Sequence, residues 1–171
     1  GEFTQTHSNG TVADALNVIT TQINSLNGIY ENELSVFFQL VANNNLIIYT
    51  NAATDPYSNL VNVGQLDVNR ANLDTVIGSA NYDIGHLFVT GNSSGIAYTG
   101  IVCTAGFKGG GMSGTGGFAT SLPGFFLSMN AHEIGHQFSA GHTFTGDSGN
   151  CGPSYNANSA YEPGSGSTIM S

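Results

Sequence analysis

Four residues near the end of the chain have types and spacing that define a chemistry: His132, Glu133, His136 and His142. His132 and His136 stand four residues apart, so on an α-helix their imidazoles share a face and can reach one ion. Neutral imidazole is a good zinc ligand, and one helix carrying two of them holds both on a rigid element. Glu133 adjoins the first histidine but projects about 100° further round the helix. It can therefore hydrogen-bond a zinc-bound water without becoming a ligand. Two protein ligands leave zinc under-coordinated, and His142 is the candidate third. It lies six residues beyond His136, too far round to bind from the same continuous helix. The helix must stop and the chain turn back, and Gly141 is free to take a positive φ at such a turn.

A competing zinc geometry takes its third ligand as a Glu from a separate downstream helix. Glu162 is the only Glu after Glu133, and it sits in Tyr-Glu-Pro-Gly-Ser-Gly, which cannot be a helix interior. Asp147 lies in a Gly-flanked turn and is the weaker oxygen ligand. One zinc ion on His132, His136 and His142, with Glu133 as the catalytic base, is the better reading. Calcium is not indicated, because the acidic residues are scattered and no Asp-rich loop of the EF-hand type occurs.

The elements that must position these residues follow from periodicity. Thr11 to Leu34 reads as an amphipathic helix, with Val12, Ala15, Leu16, Ile19, Ile23, Leu26 and Tyr30 on one face and Asn9 or Thr11 as cap. Ser35–Ala42 and Asn45–Thr50 read as strands, followed by a loop from Asn51 to Gln65. Asp67 caps a second predicted helix with Val68, Leu73, Val76 and Ile77 on its apolar side. Asp83–Thr90 and Ile96–Cys103 read as two further strands. Residues 104–124, rich in Gly and Ser, read as a long functional loop. The run from Gly106 to Gly117 lacks the Gly-Lys-Ser/Thr ending of a phosphate loop. Phe125 to Ala140 is the helix that carries the histidines, and 141–171 is irregular. The expected fold class is α/β (α+β), a sandwich with a twisted mixed, largely parallel sheet.

Composition excludes several functions. Among 171 residues only Arg70 and Lys108 are basic against eleven Asp and Glu, giving a formal net charge of −9. Nucleic-acid backbones and anionic membranes both need a basic footprint that is missing here. No apolar run approaches the ~20 residues of a membrane span. The Asn, Ser, Thr and Gly content suits a secreted bacterial protein, read as a mature form without signal peptide. Cys103 and Cys151 could form one disulfide, which the chain-entropy model values at roughly 4 kcal/mol. His86 reads as a packed or surface strand residue, His7 as solvated, and Tyr98 as a core aromatic.

The histidine segment, together with Ser-Thr-Ile-Met-Ser (167–171), resembles the metzincin metallopeptidases, whose signature is H-E-x-x-H-x-x-G-x-x-H followed by a methionine turn. The Asp83–Thr90 segment, Gly-Ile-Ala-Tyr (95–98) and Tyr-Glu-Pro-Gly-Ser-Gly-Ser-Thr-Ile-Met (161–170) are similar to the reprolysin (adamalysin) branch and its bacterial reprolysin-like relatives. The resemblance implies a zinc-dependent endopeptidase acting on protein or peptide substrates as a monomer. It places Met170 beneath the zinc as an apolar floor, with the substrate antiparallel to an edge strand such as Ile96–Cys103. Residues 1–171 would form a single catalytic domain, with an upper part over about 1–140 and a lower part over about 141–171.

Three departures stand out. Ser139 occupies the position of the family glycine, so either Ser139 takes the left-handed conformation or Gly141 makes the turn. The chain ends one residue after Met170, where relatives continue with a Tyr and a helix. Only Gly1–Ser8 precedes the first predicted helix, where relatives open with a strand. A trimmed domain is the resulting expectation, and the rival function is a zinc-binding but non-catalytic module used for binding or adhesion.

Overall fold

The computed structural model describes residues 1–116, 124–149 and 151–171. Helix α1 (Glu2–His7) leads into the long helix α2 (Val12–Leu34). Thr11 caps α2 as expected, its hydroxyl accepting from the Asp14 N–H at 3.1 Å. At the other end Ser35 adopts φ +56, and the Ser35 and Val36 N–H groups close onto the Glu31 and Tyr30 carbonyls. Helix α3 (Val63–Leu73) follows and runs on into a single π-turn, Asp74–Gly78. It starts at Asn62–Val63, not at Asp67, which lies inside the helix.

The sheet has three strands, β1 (Leu87–Val89), β2 (Gly95–Ala97) and β3 (Gly111–Gly114), in the order β1-β3-β2. β1 pairs with β3 in parallel, Leu87 opposite Met112, whereas β2 pairs with it antiparallel, Ile96 opposite Met112. The expected sheet is therefore mixed but not largely parallel. Its central strand lies inside the Gly-rich stretch expected to be a loop. Strand patterning is invisible there because Gly-Met-Ser-Gly offers one apolar side chain. The remainder of that expected loop, residues 117–123, lies outside the described residues.

Two other predicted strands are not paired among the described residues. In Ser35–Ala42 the alternating Val36 and Phe38 do pack on the core. The backbone of Phe38, however, is bonded by a side chain: Asn27 donates to the Phe38 carbonyl at 2.9 Å and accepts the Phe38 N–H at 2.7 Å. In Asn45–Thr50 the chain instead winds into a 3-10 turn, Asn44–Ile47. The strand predicted over Ile96–Cys103 ends at Ala97, because the chain bends at Gly100 (φ +70).

Helix α4 (Gly124–Gln137) covers one face of the sheet and α3 contacts the other. Leu66, Val89 and Met112 form the core on the α3 side, with Leu87 and Ile96 packed against it. α2 packs on α4 through Leu26, Tyr30, Ala131 and Ile134, and the Tyr30 hydroxyl donates to the Ala131 carbonyl at 2.7 Å. On the α4 side β2 and β3 present small residues, by alternation Gly95, Ala97, Gly111 and Ser113, while Phe88 of β1 packs on Phe126 of α4. A Cβ at Gly111 would stand 2.5 Å from the Gln137 Oε1 atom, so helix and sheet touch there.

That narrow gap is filled by a polar chain. His86 bonds Gln137 Oε1 through Nδ1 (3.0 Å) and Ser113 Oγ through Nε2 (2.9 Å), while Gln137 donates to the Gly85 carbonyl at 3.0 Å. His86 is thus the packed residue expected. His7, expected to be solvated, instead bonds Thr115 Oγ1 at 2.9 Å and lies 4.9 Å from the Phe3 ring. Tyr98 packs in the α3-side core.

Burial drives the His86 pKa from its ordinary 6.5 down to about 4. The unfolded chain takes up this proton near pH 6.5 and the folded chain only near 4. The contribution of neutral His86 is therefore complete above pH 6.5 and is lost as the pH falls towards 4. In metal-free protein this loss should reach about 3 kcal/mol. Urea unfolding of the parent and of His86→Gln at pH 7 and pH 4.5 would measure it. The parent should lose more stability than the variant, and equal pH dependence would refute the assignment.

Candidate metal centre

α4 places His132 and His136 one turn apart, and the chain after it brings His142 to the same point. The ligating nitrogens of the three rings all lie within 4.8 Å of one another. His132 Nε2 stands 3.1 Å from His136 Nε2 and 3.2 Å from His142 Nε2. Among the described residues this is the single cluster of three or more groups able to hold a metal, and neither Glu162 nor Asp147 joins it.

Every ring is oriented by a backbone carbonyl on its far nitrogen. Nδ1 of His132 lies 2.6 Å from the Ile169 oxygen, that of His136 2.8 Å from Ala140, and that of His142 3.0 Å from Ser154. A carbonyl can only accept, so each Nδ1 carries the proton and each Nε2 presents a lone pair. Three lone pairs converging without a proton between them repel, and a cation relieves the repulsion. The spacing fits one: nitrogens bound tetrahedrally at 2.0–2.1 Å stand about 3.3 Å apart. Burial also pushes the pKa values of His132 and His136 down, towards the neutral form that binds metal. The residues present therefore fit a divalent cation with three nitrogen ligands and a fourth position open.

Glu133 points towards the sheet and is 5% exposed. A Cβ on Gly95 would lie 2.4 Å from its Cγ, so the first residue of β2 has to be small for the carboxylate to fit. Burial raises the Glu133 pKa to about 7. Met170 packs on α4 between the two helical ligands, its Sδ atom 2.5 Å from where a Cβ on Gly135 would be.

The sequence profile of metallo-peptidase family M12B, reprolysin-like, matches residues 1–171. The chain belongs to this family. It is a zinc-dependent metalloendopeptidase of the metzincin, reprolysin-like type. Comparison with curated proteins gives no match.

In this reprolysin-like chain Ser139 makes the turn to the third ligand. Its φ is +78, whereas Gly141 has no positive φ. The Ser139 N–H bonds the His136 carbonyl at 2.8 Å and the Ala140 N–H reaches back to Gly135 at 2.9 Å. This pair of bonds is the Schellman ending, and it also presents the Ala140 oxygen to His136. Gly100, Ile101 and Val102 complete the helix end by donating to the His136 and Gln137 carbonyls at 3.0, 2.9 and 3.3 Å.

Two features of the site escaped sequence reasoning. Glu162 was considered only as a ligand, but hydrogen bonds from Thr143 and Thr168 hold its carboxyl down at about 2. Gly95 carried no signal beyond its motif. Cys103 and Cys151, which could have formed a disulfide, are both free thiols. Cys103 is anchored by its N–H on the Asp83 carbonyl, while Cys151 sits on the tail against Gly146.

A non-glycine residue in the left-handed region costs about 1–2 kcal/mol. Ser139→Gly should therefore raise the unfolding free energy by about 1 kcal/mol with zinc affinity retained. Chemical denaturation and chelator competition would read the two quantities. A less stable variant would mean that the Ser139 side chain contributes more than its backbone strain costs.

Proposed function

We propose that the ion held by His132, His136 and His142 is zinc, and that Glu133 is the general base and acid for hydrolysis of peptide bonds within proteins. The observation that carries this reading is the convergence of three lone-pair nitrogens, with the buried Glu133, which has no hydrogen-bond partner among the described residues, next to the first of them on α4. Zinc bound there would supply Lewis-acid chemistry, acidifying a water and polarising the scissile carbonyl.

The protein's own groups account for the remaining steps. Three imidazoles oriented by carbonyls would hold the cation through their Nε2 atoms. Glu133 accepts a proton from the attacking water and delivers it to the leaving amine. Burial raises the affinity of the Glu133 carboxyl for a proton, which suits a group that must take one up before passing it on. Met170, packed on Gly135, provides an apolar floor beneath the ligands.

The substrate would lie extended along β2. One edge of that strand is bonded to β3, the other has no paired strand among the described residues, and Gly95 at its start sits over Glu133. A peptide added to this edge presents its backbone to the site, with side-chain pockets left to set preference. The cation-poor, Asn- and Gly-rich surface supports an extracellular working place.

Glu133→Ala should retain one zinc per chain while kcat on casein falls at least ~100-fold. A variant cleaving casein as the parent does would remove Glu133 from the mechanism. Gly95→Ala should also lower kcat with zinc content unchanged, because its methyl displaces the Glu133 carboxylate. An unaffected kcat would show that the base does not work from the observed position.

A further inference from the structure

Beyond the ligands and Glu133, we infer that Glu162 is a positioning residue for the metal centre, acting through the Met170 turn on His132. This inference rests on the three-histidine reading of the site.

The geometry begins with His132. Its Nδ1 proton goes to the Ile169 carbonyl, 37 residues away, and that oxygen belongs to the turn ending at Met170. Whatever fixes this turn fixes the ring. The turn lies in an irregular segment of Gly, Ser and Pro that forms no helix or strand of its own.

Glu162 supplies the missing order from one carboxylate. Its Oε2 accepts the N–H groups of Ser167 at 2.7 Å and Thr168 at 3.1 Å. Its Oε1 accepts the hydroxyls of Thr143 and Thr168. The Glu162 backbone is itself held, donating to the Thr143 carbonyl at 2.7 Å and accepting from the Thr145 N–H at 2.8 Å. Thr143 follows the ligand His142 directly and donates its own N–H to the Met170 carbonyl at 3.0 Å.

One side chain thus joins the segment after the third ligand to the turn that orients the first. The bonds all run to an ionised acceptor, the strong class of hydrogen bond. An outer group that orients a ligand in this way typically governs metal affinity by ten- to a hundredfold. A carboxylate is well suited to the place because it accepts on both oxygens. Aspartate is one methylene too short to span Thr143 and Ser167 from the same backbone. Glutamine can still accept the two N–H groups on its oxygen, and its amide can donate to hydroxyls that turn to accept.

The test compares the parent, Glu162→Ala, Glu162→Asp and Glu162→Gln for zinc affinity by chelator competition and for the visible spectrum of the cobalt-substituted protein. Far-UV circular dichroism of each metal-free form checks folding. Zinc affinity should fall about ten- to a hundredfold in the Ala and Asp variants, with an altered cobalt spectrum, and Gln should recover much of the loss. Thr168→Val removes one of the bonds to Glu162, together with the longer Thr143–Thr168 hydroxyl contact, while leaving Glu162 in place, and should weaken zinc by a smaller factor. If Glu162→Ala and Thr168→Val both match the parent in affinity and cobalt spectrum, the inference is overturned while the histidine site stands. A parent that binds no zinc would overturn the site reading and this inference together.

Discussion

The close approach of α4 to the sheet is the constraint on which the centre depends. A helix carrying His132, Glu133, His136 and Gln137 has to lay polar side chains against a β-sheet. It can do so because the facing residues of β2 and β3 are Gly, Ala and Ser, which leave room for a carboxyl and an amide. Larger side chains there would push the helix outward and carry the histidines with it. The opposite face of the same strands bears Leu87, Val89, Ile96 and Met112 and supplies the apolar burial that keeps the sheet in place. One face is therefore built for cohesion and the other for proximity.

The second requirement is orientation of the rings, and here the backbone contributes more than side chains do. The three carbonyls that fix the tautomers come from Ile169 and Ala140, in irregular chain, and from Ser154, the last residue of the 3-10 turn Gly152–Ser154. Irregular segments have carbonyls unspent on helix or strand ladders, so they can serve as acceptors for a ligand ring. The unusual backbone at Ser139 belongs to this arrangement. By ending the helix in a left-handed residue, it releases the Ala140 oxygen towards His136 and sends the chain to His142.

The histidine triad and the amphipathic helix α2 were legible because each depends on spacing within one element or across one short turn. Thr11 capped α2, and the ligands converged as the i, i+4 rule and the turn require. What could not be read depends on contacts between distant segments. β3 was hidden because its residues are chosen for how little space they occupy, and a Gly-rich central strand is indistinguishable in sequence from a loop. Val36 to Leu40 showed true alternation, yet the Asn27 amide took the place of a neighbouring strand. Free edge and pairing partner are tertiary facts that period-two patterning does not encode. A carboxylate near a metal suggests coordination, whereas the partners of Glu162 are Thr143, just after His142, and Ser167 and Thr168 in the turn.

The strongest contrast in the site lies between two residues four apart on the same helical face. Glu133 and Gln137 both point into the gap above the sheet, and both are buried. Gln137 is saturated: it accepts from His86 and donates to Gly85, so its position is settled by the fold. Glu133 has no such partner among the described residues, and desolvation alone raises its pKa to about 7. An amide can be buried at little cost once it is bonded, but a carboxylate left without donors keeps a standing affinity for a proton. The same gap thus holds one polar group that locks the helix to the sheet and another left available for proton transfer. Structure and reactivity are separated here by hydrogen-bond satisfaction and not by distance, which is how a single turn of helix can serve both.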